Sequence, residues 1–315
     1  MAIDPASGRC RDVQDQAVIH NAGDSTVKAL PSAPTWALLF GAALWGVVWY
    51  PYRLLAGAGL DGIWSTLATY GIALAVGVAL FPREALRLRG MPRLAIVMGL
   101  AIGWSNLAYV IGVLQGEVMR VLLLFYLAPL WTVPLAWLFL REKLDAAGAF
   151  IMALAFAGAI VMLWKPQLGA PWPEARAEWL GLLAGFLFAL GNVLIRRLDT
   201  MTDAGKSIVI WAGVAFAALV HLPMASGAGT AITALASPQG WLVAAIGLVL
   251  VAMSLALQYG LARMPANRAI VILLFELVVA AIASWFLAGE HLRAQDGIGA
   301  AFIVAATIAT ALHKV

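Results

Sequence analysis

Residues 128–163 read APLWTVPLAWLFLREKLDAAGAFIMALAFAGAIVML. Two apolar runs flank one short charged segment that carries Arg141, Glu142, Lys143 and Asp145. A helix needs about 20 mostly apolar residues to cross the hydrocarbon core of a bilayer. Extended back to Val118 and forward to Trp164, the two runs reach that length and predict two membrane-spanning helices joined by a charged turn. The rest of the chain suits the same solvent. Of 315 residues, 63% are hydrophobic and 11% are charged, against about 25% charged in a soluble domain. Mean hydropathy is +0.92. A single water-soluble core could not hide so much apolar surface.

Outward from that pair, ten helices are predicted near 36–57, 61–81, 93–115, 118–140, 145–164, 178–197, 205–223, 239–262, 266–289 and 295–312. Charged and proline-bearing breaks at 82–92 and 165–177 separate spans clearly, whereas the break near Gly57–Asp61 is short. Residues 1–35 carry charges of both signs, several Pro and Gly, and no long apolar run, which predicts a disordered cytoplasmic tail. The first apolar stretch, from Trp36, lies too far in and runs too long for a cleaved signal peptide. Cys10, the one cysteine, lies in this tail, which excludes an internal disulfide and a cysteine-based metal cluster.

Basic residues give an orientation. With the N-terminus in the cytoplasm, Arg9, Arg11, Lys28, Arg83, Arg87, Arg89, Arg93, Arg141, Lys143, Arg196, Arg197, Lys206, Arg263, Arg268 and Lys314 fall inside. Arg53, Arg120, Lys165, Arg176 and Arg293 fall outside. Fifteen against five is a strong positive-inside bias. It supports an even span count with both termini cytoplasmic.

The second half echoes the first. An offset of 148 pairs Gly99 with Gly247, Gly112 with Gly260, Arg120 with Arg268, Trp137 with Trp285, Glu142 with Glu290 and Leu144 with Leu292. Nearer the start of each half an offset of 143 pairs Trp36 with Trp179 and Arg53 with Arg196. The expected organisation is a first repeat at 36–164, an external linker at 165–177 and a second repeat at 178–312. Five helices per unit is an odd number, so the copies enter the bilayer from opposite sides. Halves related in this way can exchange conformations and open a site between them to either side in turn. The expectation is a carrier.

Each half ends with a long apolar helix, an acidic residue at its end, and a Gly-bearing final helix. The first copy is the stretch quoted from Ala128; the second is ELVVAAIASWFLAGEHLRAQDGIGAAFIVAATIATAL from Glu276. In this the chain resembles the duplicated EamA domain of the drug/metabolite transporter superfamily, over nearly its whole length from Trp36. Within the superfamily it looks most like the aromatic amino-acid exporters. The resemblance implies an all-α membrane protein of ten transmembrane helices, arranged as two inverted five-helix repeats around a central cavity. It also implies a secondary transporter in the bacterial cytoplasmic (inner) membrane that exports aromatic and other neutral amino acids by alternating access. One departure stands out: Glu276 and Leu277 stand where the first half has Ala128 and Pro129. The copies differ at their presumed centre, so cargo preference cannot be read from the fold alone.

Glu276 is the outlier among candidate site residues. It falls about ten residues into the ninth helix, roughly 15 Å deep at 1.5 Å per residue. An ionisable group at that depth is costly and marks a functional site by default. It would hold the amino group of a solute or exchange a proton; the alternative is a carboxyl that only ties helices together. Trp45 and Trp49 share one side of the first helix with Tyr52. Trp104, Asn106 and Tyr109 lie on the third helix, Asn192 on the sixth and Trp211 on the seventh. Ser254 and Gln258 are one turn apart on the eighth. Cavity lining and helix packing explain these residues equally well. Pro129 and Pro134 interrupt the backbone ladder of the fourth helix and are candidate hinges, a static kink being the alternative. Trp36, Trp64, Trp164, Trp172, Trp179 and Trp241 read as anchors at the membrane–water interface. Arg53, Arg120, Arg196 and Arg268 read as snorkelling topology markers, with a gate salt bridge to Glu117 or Asp199 as the alternative, and Glu142 and Glu290 read as interfacial.

An enzyme needs a metal cluster or an acid–base and nucleophile set at depth. His20, His221, His291 and His313 fall in the tail or near helix ends without ligand spacing, so no catalytic or metal site and no cofactor is expected. Gly205, Lys206 and Ser207 mimic the end of a phosphate-binding loop, but Thr200 stands in place of its first glycine and no strand precedes it. The expected partners are a small-molecule solute and the bilayer, with no nucleic acid, around a monomeric chain. Among carriers, the alternative cargo is a lipophilic cation or other small metabolite.

Overall fold

The computed structural model describes residues 32–116, 118–164, 173–225, 227–288 and 293–312. The tail at 1–31 with Cys10, the linker residues 165–172 with Lys165 and Trp172, Glu117, Glu290, His291, Leu292 and residues 313–315 lie outside that description.

Ten helices are long and apolar enough to cross a membrane. They are α1 (Ala33–Gly57), α2 (Gly62–Leu80), α3 (Arg93–Gln115), α4 (Val118–Phe125 continued by Ala128–Leu140), α5 (Ala146–Leu163), α6 (Arg176–Arg197), α7 (Asp203–His221), α8 (Trp241–Arg263), α9 (Ala266–Leu273 continued by Phe275–Ala288) and α10 (Ala294–Leu312). The short break before Asp61 is real: its side chain accepts from the N–H groups of Ile63 and Trp64 and so starts α2. Asp145 caps α5 through Gly148 N–H, and Thr202 caps α7 through Gly205 N–H. α1 starts at Ala33, earlier than hydropathy alone indicates, because Pro34 suits a helix's first turn. Short helices at Pro82–Arg87 and Ala228–Leu235 occupy two of the connections.

Large apolar side chains face outward along these helices. Phe150 is 70% exposed and Phe286 71%, a surface that belongs in lipid rather than water. Trp36, Trp179 and Trp241 are exposed near helix ends, as interfacial anchors require. The protein is a multi-pass membrane protein.

The packing order has a twofold character. α3 packs on α6 and α7, and α8 packs on α1 and α2. α1 packs along α9 while α6 packs along α4; α2 meets α7, and α5 meets α10. Exchanging α1–α5 with α6–α10 maps this set of neighbours onto itself. Polar bonds fasten several seams: Tyr52 to Thr69 (2.7 Å) joins α1 to α2, and Ser105 Oγ to the Ala184 carbonyl (2.8 Å) joins α3 to α6. Gly103 of α3 lies directly against Gly213 of α7, the close helix contact that small-residue spacing permits.

α4 and α9 are each broken near the middle; the prolines of the fourth helix predict the first interruption, and nothing in the sequence predicts the second. In α4 the cause is chemical. Pro129 has no N–H to give the Phe125 carbonyl, and the chain switches to shorter bonds, Leu127 N–H to Leu124 O and Leu130 N–H to Leu127 O. The break therefore falls at Tyr126–Leu127, just ahead of the proline. Pro134 lies inside the second segment without interrupting it. In α9 the break is at Leu274, with no proline nearby.

Candidate functional site

The two breaks face each other. Tyr126, in the break of α4, donates its hydroxyl hydrogen to Oε1 of Glu276, in the first turn after the break of α9. Both side chains are half-buried. Discontinuous helices meeting at the middle of a bundle are the arrangement in which transporters hold solutes.

Three aromatic residues extend this centre. Phe125 lies 5.2 Å from Tyr126, 5.3 Å from Tyr109 and 5.4 Å from Phe188, centroid to centroid. Tyr109 is within electrostatic reach of Glu276. The result is one carboxylate beside a wall of rings drawn from α3, α4 and α6. Backbone proximity makes it possible: on α6, Gly185 lets the Phe125 carbonyl approach where a side chain would collide. On the other side, Gly46 of α1 lies against the Glu276 carbonyl, which a Cβ would meet at 2.7 Å.

The remaining candidates are distributed around this centre. Trp45 and Trp49 are half-buried on α1, one residue before and three residues after the Gly46 contact, and Trp49 stands edge-on to Tyr50. Trp211 is fully buried, and its Nε1 donates to Ser254 Oγ at 2.9 Å. These two candidates bond to each other and tie α7 to α8. Trp104 packs edge-on against Phe216 and His221, in a separate small cluster with Leu107 and Ala217. Asn106 is half-buried. Asn192 and Gln258 are buried, and the amide nitrogen of one and the amide oxygen of the other have no protein partner.

Two of the arginines read as topology markers are ion-paired. Arg120 pairs with Glu178 at 2.7 Å, and Arg196 lies 3.6 Å from Glu142. The Gly205–Lys206–Ser207 sequence lies in the first turn of α7, where Lys206 is buried and donates to the Ile195 carbonyl at 2.9 Å.

Sequence reasoning missed Tyr126, Phe125 and Phe188. A signal existed for the first: Pro129 implies a break just ahead of it, and Tyr126 is the polar residue that falls there.

Residues 175–312, the second half of the chain, match the EamA-like transporter family. That match supports the drug/metabolite transporter superfamily. A protein of known crystal structure shares the fold, with a TM-score of 0.70 over 89% of this chain and 96% of its own, at 19% identity. At that identity the likeness speaks for the fold alone. No curated protein matches the sequence.

Proposed function

We propose that the chain is a secondary transporter that exports amino acids, aromatic and other neutral ones, by alternating access. The observation that carries this reading is the Glu276–Tyr126 pair between two broken helices, beside the rings of Tyr109, Phe125 and Phe188. A carboxylate retained at that depth is costly without a task. It would take the ammonium group of an amino acid while the aromatic wall takes its side chain. The EamA-like match supports a membrane transporter of small molecules, and the resemblance in sequence to the aromatic amino-acid exporter YddG points to this cargo.

The exchangeable packing of the two halves supports inverted repeats at 36–164 and 178–312, joined by an external linker at 165–177. The positive-inside bias supports cytoplasmic termini, and the reading is completed by a monomeric chain in the inner membrane of a bacterium, as the family resemblance implies. Pro129, at the break, serves as the flexing point of α4, while Pro134 removes a ladder bond inside a continuous segment. One further cargo has a specific observation in its favour: a carboxylate ringed by aromatic faces also suits a lipophilic cation.

Uptake of labelled Trp, Phe, Thr, Met and a lipophilic cation into liposomes holding the purified protein, with and without a pH gradient, tests the reading. Saturable amino-acid uptake with mutual competition is expected. Movement of the cation alone would overturn the cargo assignment, and no movement of any solute would overturn transport.

A further inference from the structure

At the basic end of the bundle, where α4, α6 and α8 finish and α9 begins, one ion pair draws four helices together. Arg141 adopts a left-handed conformation (φ 57°) as α4 ends, and Glu142 follows it. Glu142 Oε2 accepts from the N–H of Ala266, the first residue of α9, at 2.8 Å. Its Oε1 lies 3.6 Å from Nε of Arg196, at the end of α6. Arg196 in turn donates through Nη1 to the Ala262 carbonyl at the end of α8. Three of these helices supply the central site: α4 carries Tyr126, α6 carries Phe188 and α9 carries Glu276.

A line of side chains leads from that site to the ion pair. Phe188, Asn192 and Arg196 recur every four residues and so stack along one face of α6, spanning about 12 Å at 1.5 Å per residue. On α8, Gln258 precedes Ala262 by the same four residues. α6 and α8 run in the same direction, so the bond from Arg196 to Ala262 sets Asn192 and Gln258 at matching depth. Asn192 is 6% exposed and Gln258 3%. Nδ2 of Asn192 and Oε1 of Gln258 have no protein partner. A free donor and a free acceptor at the same buried level are costly in a packed interior, and they suit a zwitterion that offers one acceptor and one donor. The other end of the bundle differs. Gly46, Tyr50 and Arg53 follow one face of α1 from the Glu276 carbonyl towards a cavity of about 570 Å³ whose lining includes Tyr50 and Arg53.

We propose that the Arg196–Glu142 pair is the latch of a gate at the basic end, and that Asn192 and Gln258, behind it, are polar contacts for the solute once the latch parts. The structure is the state closed at that end. This rests on the carrier reading for its purpose, but its test needs no cargo.

The test is thiol labelling of the full-length chain with Cys10→Ser and Asn192→Cys, in membrane vesicles of either orientation, with a membrane-impermeant methanethiosulfonate. With the latch intact, labelling from the basic end is slow. Glu142→Gln keeps an acceptor for Ala266 N–H but removes the charge, and it raises the rate from that end roughly tenfold, as loss of a bond specific to the closed state requires. Arg196→Gln does the same, and Arg196→Lys restores most of the protection. If Arg196→Gln does not fold, Glu142→Gln carries the test. Equal labelling rates with the latch intact and broken would overturn the gate. That result would leave amino-acid transport untouched, just as a failure of amino-acid uptake would leave the labelling readable.

Discussion

The hydroxyl of Tyr126 donates to the carboxylate of Glu276 across the point where α4 and α9 are both interrupted. The bond engages Oε1 of the carboxylate, and on the proposed reading the other oxygen takes the solute. A hydrogen bond to a charged group contributes about 1.5–3 kcal/mol. Tyr126→Phe should therefore raise the KM for cargo roughly tenfold while the protein stays folded, and it should add little once Glu276→Gln is present. Transport kinetics of the two single variants and the double variant measure this coupling. If the effects are additive, the two residues act separately.

Proton exchange is the other role that the depth of Glu276 in its helix suggests. With Glu276→Gln no titratable carboxyl remains at the breaks, so the pH dependence of transport should vanish while the protein elutes as the wild type does. A variant with the original rate and the original pH profile would remove Glu276 from that role.

Gly46 is the contact that brings α1 onto α9 at the site. Gly46→Val would push a side chain into the Glu276 carbonyl and Val279. Overpacking of this kind costs about 1–3 kcal/mol, which should appear as a lower Tm in detergent together with reduced transport. Gly57→Val, at a position open to space, is the control and should alter neither.

Trp211 and Ser254 lead to a different expectation. Trp211 is wholly buried and its one polar atom is already bonded to Ser254. Trp211→Phe should lower stability by about 1–3 kcal/mol through the unpaired Ser254 hydroxyl and the space left behind. It should leave the KM for cargo unchanged. Thermal unfolding beside transport kinetics separates the two effects.

Arg120 and Glu178 form the most buried ion pair among the described residues, with side chains 13% and 9% exposed. Removing one partner of such a pair leaves an uncompensated charge and costs about 3–5 kcal/mol. Arg120→Ala should lower the Tm far more than Arg87→Ala, whose ion pair with Glu84 is largely exposed.

Much of this architecture can be read from sequence, because hydrocarbon imposes a strict length and polarity on every span. The charged turn at 141–145 and the cap at Asp61 both mark helix boundaries that the structure reproduces to within a few residues. The centre of the site is only partly legible. Glu276 announces itself by its charge and Pro129 announces a break in α4. The break in α9 has no proline or glycine at its position to signal it. Tyr126 looks like one more aromatic in an apolar run until Glu276 is placed opposite it. The pairing of Arg196 with Glu142 rather than Asp199 depends on the left-handed turn at Arg141, a conformation that glycine favours and arginine does not announce.

Cargo binding at Glu276 is what decides the proposed function. The most direct measurement is calorimetric titration of phenylalanine into the purified wild type, Glu276→Gln and Trp104→Phe, the last lying in a separate cluster. Saturable binding to the wild type and to Trp104→Phe, with at least a tenfold weaker affinity for Glu276→Gln, about 1.4 kcal/mol or more, is the predicted result. Equal affinity in all three proteins would contradict it and place the solute elsewhere.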